Sequence, residues 1–333
     1  MRMRFTALAA AAIAAATVLS GCGGSGQAAG SGEGDGGKPF KVIAFTSGNQ
    51  TPIGAWWVKQ VQADAKTNGW DLTMIQGDFD FQKMNPQVES AIGQGADAIF
   101  DGYTDVASIS SIVTAAKDSD IPIFAVDAGT EANDAFALNV TSNQQGIADQ
   151  TVQEISTQLG GLQGKNVMVI GHDPHPGIRM RASLAEAELK KAGANIAGGA
   201  IQKVKSPATG RTEALALVSD YLTANPNGLD AVWVGWDDAA LGAAQGVSES
   251  GSKAIVTGCD ASSEALAAIQ SGSSPLVATV EQPWLTVNKT VEDAITAYQK
   301  DGTKPSKNFD AVATTLVTKD NAASITPSDK LGS

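Results

Sequence analysis

The stretch AIFDGYTDVASISSIVTAAKDSDIPIFAVD, residues 98–127, decides the fold class. Its first three residues form a short apolar run that predicts a strand. Apolar side chains then recur with the spacing of a helix, at Ile109, Ile112, Val113 and Ala116. A second apolar run at 121–126, which Pro122 enters near its start, predicts another strand. A strand, a helix and a strand in this order are typical of a parallel sheet with helices on both faces.

The same alternation extends towards both ends of the chain. On the N-terminal side, apolar runs at 41–45 and 72–75 predict strands, and helical spacing at 58–65 and 88–92 predicts helices. Beyond a strand predicted at 137–140 the pattern starts again, with strands at 167–170, 200–204, 231–234, 255–257 and 276–280. Helices are predicted at 143–159, 178–191, 211–224, 238–250, 262–271 and 283–299, before a last strand at 312–317. The sequence therefore predicts an α/β protein with two similar doubly wound parallel-sheet lobes.

The chain is expected to enter each lobe more than once. No Gly/Ser linker separates the two repeats, which indicates a hinge made of several close chain crossings. The N-terminal lobe is expected to contain 39–141 and 283–308, and the C-terminal lobe 142–282 and 309–320. Residues 321–333 are expected to form a tail.

The first residues have the features of a secretory signal. A positively charged start and an apolar stretch at 5–19 lead to Leu19-Ser20-Gly21-Cys22. This tetrapeptide resembles the bacterial lipobox, which implies a signal peptide at 1–21 and a lipid on Cys22. A membrane-spanning anchor is the weaker alternative, because the apolar stretch is shorter than the roughly 20 residues that span a bilayer.

A flexible tether is predicted at 22–38. Between Cys22 and Lys38 the chain contains only Gly, Ser, Ala, Gln, Glu and Asp, a composition that cannot bury apolar surface. A lipid on Cys22 would hold the folded part to the outer face of the cell membrane. We therefore expect an extracytoplasmic, lipid-anchored protein.

The acidic composition restricts the partners of the mature chain. Removal of Arg2 and Arg4 from 23 basic side chains leaves 21 against 35 acidic ones, a formal net charge of −14. Such a surface argues against a nucleic-acid partner and against a polybasic membrane contact. Cys22 and Cys259 are the only cysteines, so acylation of Cys22 leaves no intrachain disulfide. We expect a monomer.

Polar and aromatic residues follow the predicted strands at the end where open α/β sheets bind ligands. They lie at 47–51, Asp101, Asp127, 172–179, Trp236-Asp237, Asp260 and Glu281-Gln282. Carboxylates accept hydrogen bonds from vicinal hydroxyls, an arginine fork donates them, and tryptophan covers the apolar face of a ring. The set predicts a site for a neutral polyhydroxylated molecule. Candidate contacts at these positions and nearby include Asn49, Trp56, Asp101, His175 and Trp236.

Several local motifs occur in an order that resembles a known family. They are Pro52, Pro122 in IPIFAVD, Asn143, Arg179-Met180-Arg181, DDAALGAA at 237–244, Gly258-Cys259-Asp260 and Gln282-Pro283. Across roughly residues 40–320 the chain resembles the periplasmic sugar-binding proteins of the ribose/galactose type, the receptors of ABC importers. The resemblance implies the type I periplasmic binding protein fold, in which two hinged lobes close on a sugar or polyol and present it to a permease.

The resemblance also implies individual roles. It places ligand contacts from both lobes at Asp127, Arg179, Asp260 and Gln282, and hinge positions at Asn143 and Pro283. Alternatives remain open: the two carboxylates could cap the next helix, Arg179 could form a surface ion pair, and Gln282 could belong to the hinge. Arg181 is expected to face a carboxylate of the C-terminal lobe.

Three departures from the family pattern concern the ligand. Ribose receptors carry an arginine directly after the first-lobe aspartate, where this chain has Ala128. Trp236 stands where they have asparagine, and Ile53-Gly54 follow Pro52 where they have two aromatics. The departures argue against ribose but do not choose among hexoses, pentoses, polyols and non-sugar ligands.

Catalysis and metal binding are not expected. His172 and His175 are the only histidines and, with Asp173, could bind zinc, but two prolines stiffen this loop and a third histidine is missing. No Gly-x-Ser-x-Gly or His-Glu-x-x-His motif occurs in the sequence. We therefore expect a binding protein without cofactors. A sensory co-receptor that signals to a membrane kinase or chemoreceptor is the alternative to import.

Overall fold

Residues 38–331, which the computed structural model describes, form two α/β lobes, with strands and helices numbered along the chain. In this part of the chain the first lobe has six strands: β1 (Phe40–Thr46), β2 (Trp70–Gln76), β3 (Ala98–Gly102), β4 (Ile123–Val126), β5 (Leu138–Ser142) and β12 (Phe309–Val312). They lie in the order β12-β5-β4-β3-β1-β2, and each neighbouring pair is parallel. The helices of this lobe are α1 (Pro52–Asn68), α2 (Phe81–Gly93), α3 (Ser110–Asp118) and α9 (Trp284–Asp301).

The second lobe repeats this plan. Its strands are β6 (Asn166–Gly171), β7 (Asn195–Ile196), β8 (Gln202–Lys203), β9 (Ala231–Val234), β10 (Ile255–Thr257), β11 (Leu276–Glu281) and β13 (Thr315–Thr318). The sheet order is β13-β11-β10-β9-β6-β7, β8 also pairs with β6, and β13 is antiparallel to β11. The helices of this lobe are α4 (Gln144–Leu159), α5 (Pro176–Lys191), α6 (Gly210–Ala224), α7 (Asp237–Glu249) and α8 (Ser263–Ser271).

Apolar clusters cover both faces of each sheet. In the first lobe one cluster packs α1 and α9 against the sheet around Trp57, and the other packs α2 and α3 around Ile112. In the second lobe one cluster joins α6, α7 and α8 around Val218, and the other joins α4 and α5 around Leu189. Burial of apolar side chains on both faces is typical of parallel sheets. The predicted α/β fold with two doubly wound lobes is confirmed.

Local signals set the start of α1 beside the space between the lobes. The Thr51 side chain accepts a hydrogen bond of 3.1 Å from the Gly54 amide, and Pro52 occupies the first helical turn. The helix ends at Gly69, whose φ of 69° a glycine adopts without steric cost. The loop from β1 is thereby held at the edge of the sheet.

The last predicted strand, 312–317, is two strands in the structure. β12 pairs in parallel with β5 in the first sheet, and β13 pairs antiparallel with β11 in the second. Residues 309–312 thus lie in the first lobe, whereas the sequence placed them in the second. The chain crosses between the sheets after β5, after β11 and after β12. Little in the sequence separates β12 from β13. The free edge that each sheet offers therefore determines which of the two strands pairs with it.

Other differences are smaller. Of the strand predicted at 200–204, only Gln202–Lys203 is a strand in the structure, and β7 was not predicted. The predicted signal peptide, the tether up to Gly37 and Cys22 lie outside the described residues. Among residues 38–331, no helix has both the length and the apolar character to span a bilayer.

Candidate ligand-binding site

A cavity of about 430 Å³ lies between the lobes, at the carboxyl ends of strands from both sheets. Tyr103 and Asp127 line it from the first lobe, Trp236 and Asp260 from the second, and Gln282 from a crossing between them. The carboxyl end of the strands is where open α/β sheets bind ligands. The two halves of the sequence therefore contribute to one cavity.

Asp127 is a buried carboxylate on the first-lobe wall. Its Oδ1 accepts a hydrogen bond from the Thr141 hydroxyl, and its Oδ2 lies 3.4 Å from Nε2 of His175 in the second lobe. The backbone has a φ of 54°, in the left-handed region. No helix begins after Asp127 before the next strand, β5, so this residue does not cap a helix. The carboxylate is therefore available to accept hydrogen bonds inside the cavity.

Asp260 is the corresponding carboxylate of the second lobe. Its Oδ1 accepts a hydrogen bond of 2.7 Å from Gln282 Nε2. Ser262, not Asp260, caps α8. Desolvation, followed by the nearby charge of Asp237, raises the pKa of Asp260 above its ordinary value. Burial also raises the pKa of Asp237, although Asp237 accepts hydrogen bonds from Thr279 and Ser262.

Arg181 lies buried beneath the cavity and also lines it. Its guanidinium donates to Gln144 Oε1 (2.8 Å), Gly235 O (3.1 Å), Cys259 Sγ (3.0 Å) and Gln282 Oε1 (3.3 Å). These acceptors are neutral, whereas the sequence placed a carboxylate against Arg181. A guanidinium has five N–H donors, two of them on Nη2. Among residues 38–331, Nη2 donates to Gln282 Oε1 alone, so one of its two N–H groups has no protein acceptor.

Arg179 lies on the surface. Its side chain is 45% exposed and pairs with Asp105 of the first lobe, with 3.0 Å between Nη2 and Oδ2. It also donates to the carbonyl oxygen of Asp173. Arg179 is not among the residues that line the cavity. Its contacts are those of a surface ion pair, the alternative that the sequence left open.

The Arg-Met-Arg motif contains a signal that distinguishes its two arginines. The buried stripe of α5 includes Ile178, Ala182, Ala185 and Leu189. Position 181 is three residues after Ile178 and four before Ala185, so helical spacing places it on the same face. Position 179 lies off this stripe.

His175 of the second lobe contacts Asp127 of the first, and its hydrogen bonds define which ring nitrogen carries the proton. As the N-cap of α5, its Nδ1 accepts a hydrogen bond of 3.3 Å from the Ile178 amide. The proton of the neutral imidazole must then reside on Nε2, which faces the Asp127 carboxylate. Burial lowers the pKa of His175 to about 4, so the ring is neutral at pH 7. It therefore acts as a hydrogen-bond donor rather than a cation.

Aromatic side chains form much of the remaining wall. Trp236, Trp284, Tyr103 and Phe79 line the cavity, and the rings of Tyr103 and Trp284 meet edge to face at 5.4 Å. Tyr103 Oη, Trp236 Nε1 and Trp284 Nε1 are buried and have no hydrogen-bond partner among residues 38–331. Buried donors usually have partners. The wall thus combines apolar ring surface with buried polar atoms that have no partner of their own in this part of the chain.

Three predicted contacts lie away from this cavity. Asn49 and Asp78 join two loops through hydrogen bonds of 2.7 and 3.1 Å, while the neighbours Gly48 and Gln50 line the cavity. Trp56 lines a different cavity, which lies between α1 and α9. Asp101 is fully buried in the first lobe.

Tyr103 and Phe79 are among the cavity residues that the prediction missed, because two strand ends were misjudged or left out. β3 extends to Gly102 rather than ending at Phe100, so its carboxyl end presents Tyr103 instead of Asp101. Phe79 follows β2, a strand end that the prediction did not consider.

The predicted hinge residues lie at chain crossings. Asn143 caps α4 by accepting a hydrogen bond of 3.0 Å from the Gly146 amide, and its own amide donates to Val312 O at 2.8 Å. Pro283 precedes α9. Their role in hinge motion stays a prediction.

Replacement of Asp101 by asparagine is expected to stabilise the protein more at pH 8 than at pH 5. Burial raises the pKa of Asp101 from 3.8 to about 8, and the carboxyl group accepts a hydrogen bond of 2.6 Å from Thr104 Oγ1. The folded protein therefore retains a proton that the unfolded chain has lost, and its stability falls as pH rises through this window. Asparagine keeps an acceptor for Thr104 and does not titrate. Melting temperatures at both pH values test this, and a pH-independent difference would contradict it.

The comparisons with known proteins agree with this geometry. A family model described as a periplasmic binding protein domain matches residues 43–304. The chain is 28% identical over 259 residues to the ribose import binding protein of Bacillus subtilis, covering 77% of this chain and 81% of that protein. It is 29% identical over 292 residues to the D-apiose import binding protein of Paraburkholderia graminis, covering 85% and 89%.

A solved structure shares the fold. The ABC transporter solute binding protein from Agrobacterium vitis with bound allitol aligns with a TM-score of 0.78 and 22% identity, covering 86% of this chain and 98% of that one. The type I periplasmic binding protein fold is thereby confirmed, as is the resemblance to importer receptors. The chain is a binding protein rather than an enzyme and belongs to the periplasmic binding protein domain family.

Proposed function

We propose that this protein is a receptor that closes on a sugar or polyol outside the cytoplasm and delivers it to an ABC importer. The observation that carries the proposal is the convergence of Asp127 and Asp260, one from each lobe, with Arg181 on a cavity walled by aromatic rings. The names of the relatives, which refer to ribose and D-apiose import, support this class of ligand.

The chemistry of the wall matches a neutral polyol. Carboxylates accept hydrogen bonds from hydroxyl pairs, while Arg181, Trp236 and Tyr103 supply donors. Closure removes water from these groups, and each one left unpaired costs about 1 to 3 kcal/mol. Selectivity would then arise from the number and direction of the ligand hydroxyls. A ligand of high charge is disfavoured, because side chains of both signs, Asp127 and Arg181, line the same cavity.

The positions that depart from ribose receptors lie at or near this wall. Ala128 is fully buried, and its amide donates to Asn139 Oδ1 at 3.1 Å, so no side chain from this position reaches the cavity. Trp236 lines the cavity directly. The arginine side chain that ribose receptors carry at the position of Ala128 is therefore missing, and Trp236 adds apolar surface to the wall. Both changes favour a polyol or a sugar other than ribose.

A compound of this class is expected to raise the melting temperature of the purified protein. Ligand at 100 times its Kd adds about 2.7 kcal/mol to the free energy of unfolding. The panel contains ribose, D-apiose, xylitol, allitol and myo-inositol, with glutamate as the charged control. If glutamate alone stabilises the protein, or if every sugar and polyol of the panel fails, the sugar proposal is wrong. Loss of uptake of the stabilising compound after gene deletion would separate import from sensing.

We also propose that Cys22 carries a lipid, on the basis of the Leu19-Ser20-Gly21-Cys22 sequence. Replacement Cys22→Ala is expected to move the protein from the membrane fraction to the soluble fraction of the producing cells. Ser25→Ala, three residues away in the predicted tether, serves as the control and should leave the protein in the membrane fraction. Retention of the Cys22→Ala variant in washed membranes would exclude the anchor.

A further inference from the structure

The chain beyond β13 runs from the second lobe to the first along one side of the cavity. Ala322 is buried in the apolar core of the second lobe, and Ile325 packs against the same core. Leu331 packs against the apolar cluster of the first lobe that contains Trp57. The two ends of this short segment therefore belong to different lobes.

Hydrogen bonds attach the middle of the segment to the second lobe. The Ser328 amide donates to the carbonyl oxygen of Ala261 at 3.0 Å. Asp329 Oδ1 accepts a hydrogen bond of 2.8 Å from the amide of Ser263, the first residue of α8. A carboxylate at a helix N-terminus is stabilised by the exposed amides and the helix dipole. This attachment fixes the segment where it passes the cavity.

Ser328 and Asp329 line the cavity that contains Asp127 and Asp260. Ser328 is largely buried, although it lies in a short segment close to the described end of the chain. The segment from 328 to 330 packs against α1 of the first lobe as well as α8 of the second. It thus contributes a wall that belongs to neither sheet.

We propose that residues 322–331 form a strap that ties the two lobes together and closes one side of the ligand site with Ser328 and Asp329. The ligand part of this inference rests on the proposed function, whereas the tie between the lobes does not. When the lobes separate, both ends cannot keep their contacts. The hydrogen-bonded attachment at Ala261 and Ser263 keeps the strap on the second lobe, and the apolar contact of Leu331 with the first lobe is released.

The tie between the lobes can be tested without a ligand. Spin labels are placed on exposed positions of the two lobes by Ser90→Cys in α2 and Ser248→Cys in α7, in a Cys22→Ser background. Cys259 is fully buried, so it is protected from labelling. In the ligand-free protein, Leu331→Ser is expected to shift the distance distribution towards longer separations. Leu285→Ser is the matched control, since Leu285 lies on the first lobe and is 50% exposed.

An unchanged distance distribution for Leu331→Ser, or the same shift for both variants, would overturn the proposal that the strap ties the lobes together.

The contribution of Ser328 to the cavity wall is tested by Ser328→Ala, with the compound that gives the largest rise in melting temperature. Loss of one neutral hydrogen bond is expected to weaken binding about 2- to 12-fold, and equal affinity would overturn the role of Ser328. If no compound binds, the proposed function fails, and the distance measurement alone decides whether the strap exists.

Discussion

Replacement of Arg181 by methionine is expected to lower ligand affinity at least about 100-fold, whereas the same replacement at Arg179 is expected to leave affinity nearly unchanged. A hydrogen bond from a charged group contributes about 1.5 to 3 kcal/mol, or roughly 10- to 150-fold in affinity. Arg181 also holds Gln282, whose amide holds Asp260, so its loss disturbs a second ligand contact. Titration calorimetry with the compound that stabilises the wild-type protein measures the effect.

Loss of Arg181 is also expected to destabilise the fold. Gln144 Oε1, Gly235 O and Gln282 Oε1 would each lose a buried donor, at about 1 to 3 kcal/mol for an acceptor left unsatisfied. Arg181→Lys keeps the charge without the fork and provides a better folded variant for the binding measurement.

Arg179→Met is the matched control for these measurements. It removes an exposed ion pair with Asp105, and exposed pairs contribute at most about 1 kcal/mol. If Arg179→Met abolishes binding while Arg181→Lys and Arg181→Met do not, the ligand contact belongs to Arg179 and the site described above is wrong.

Replacement of Gly242 by alanine is expected to destabilise the protein by about 3 kcal/mol or more. A Cβ at this position in α7 would lie 1.9 Å from the carbonyl oxygen of Arg211 in α6, and backbone cannot move aside as a side chain can. Overpacking typically costs 1 to 3 kcal/mol, and contact with backbone lies at the upper end. The shift would also displace Arg211, which pairs with Asp238 and Glu264 beside the cavity. Urea unfolding should show a lower midpoint with an unchanged slope.

Gly93→Ala provides the comparison. Gly93 ends α2, and a Cβ there would meet no atom within 4 Å. Alanine in a helix is favoured over glycine by up to about 1 kcal/mol, so this variant should be unchanged or slightly more stable. Equal destabilisation of the two variants would show that the close contact between α6 and α7 does not determine the effect.

Much of the site was predictable from strand order. Asp127, Asp260, Gln282, Trp236 and His175 all follow strands, and all line the cavity. Their positions could be inferred because parallel strands bring their carboxyl ends to one edge. Their contact with a ligand stays a prediction.

Arg179 and Arg181 show where strand order is not enough. Two positions along a helix differ by about 200° in direction, so the two arginines lie on nearly opposite faces. Which face meets the cleft depends on how α5 packs against the second sheet through Ile178 and Leu189. Apolar spacing along α5 places Arg181 on the buried face, but it does not tell whether that part of the face meets the cleft.

The sequence by itself determined the fold class, the two repeats and the chemical character of the site, because apolar periodicity and strand ends are local properties of the chain. Only the tertiary structure decided that β12 and β13 join different sheets, that Arg181 lies under the cavity, and that residues 328–329 form part of its wall. Each of these depends on which surfaces distant segments leave open for packing, and no local pattern records that.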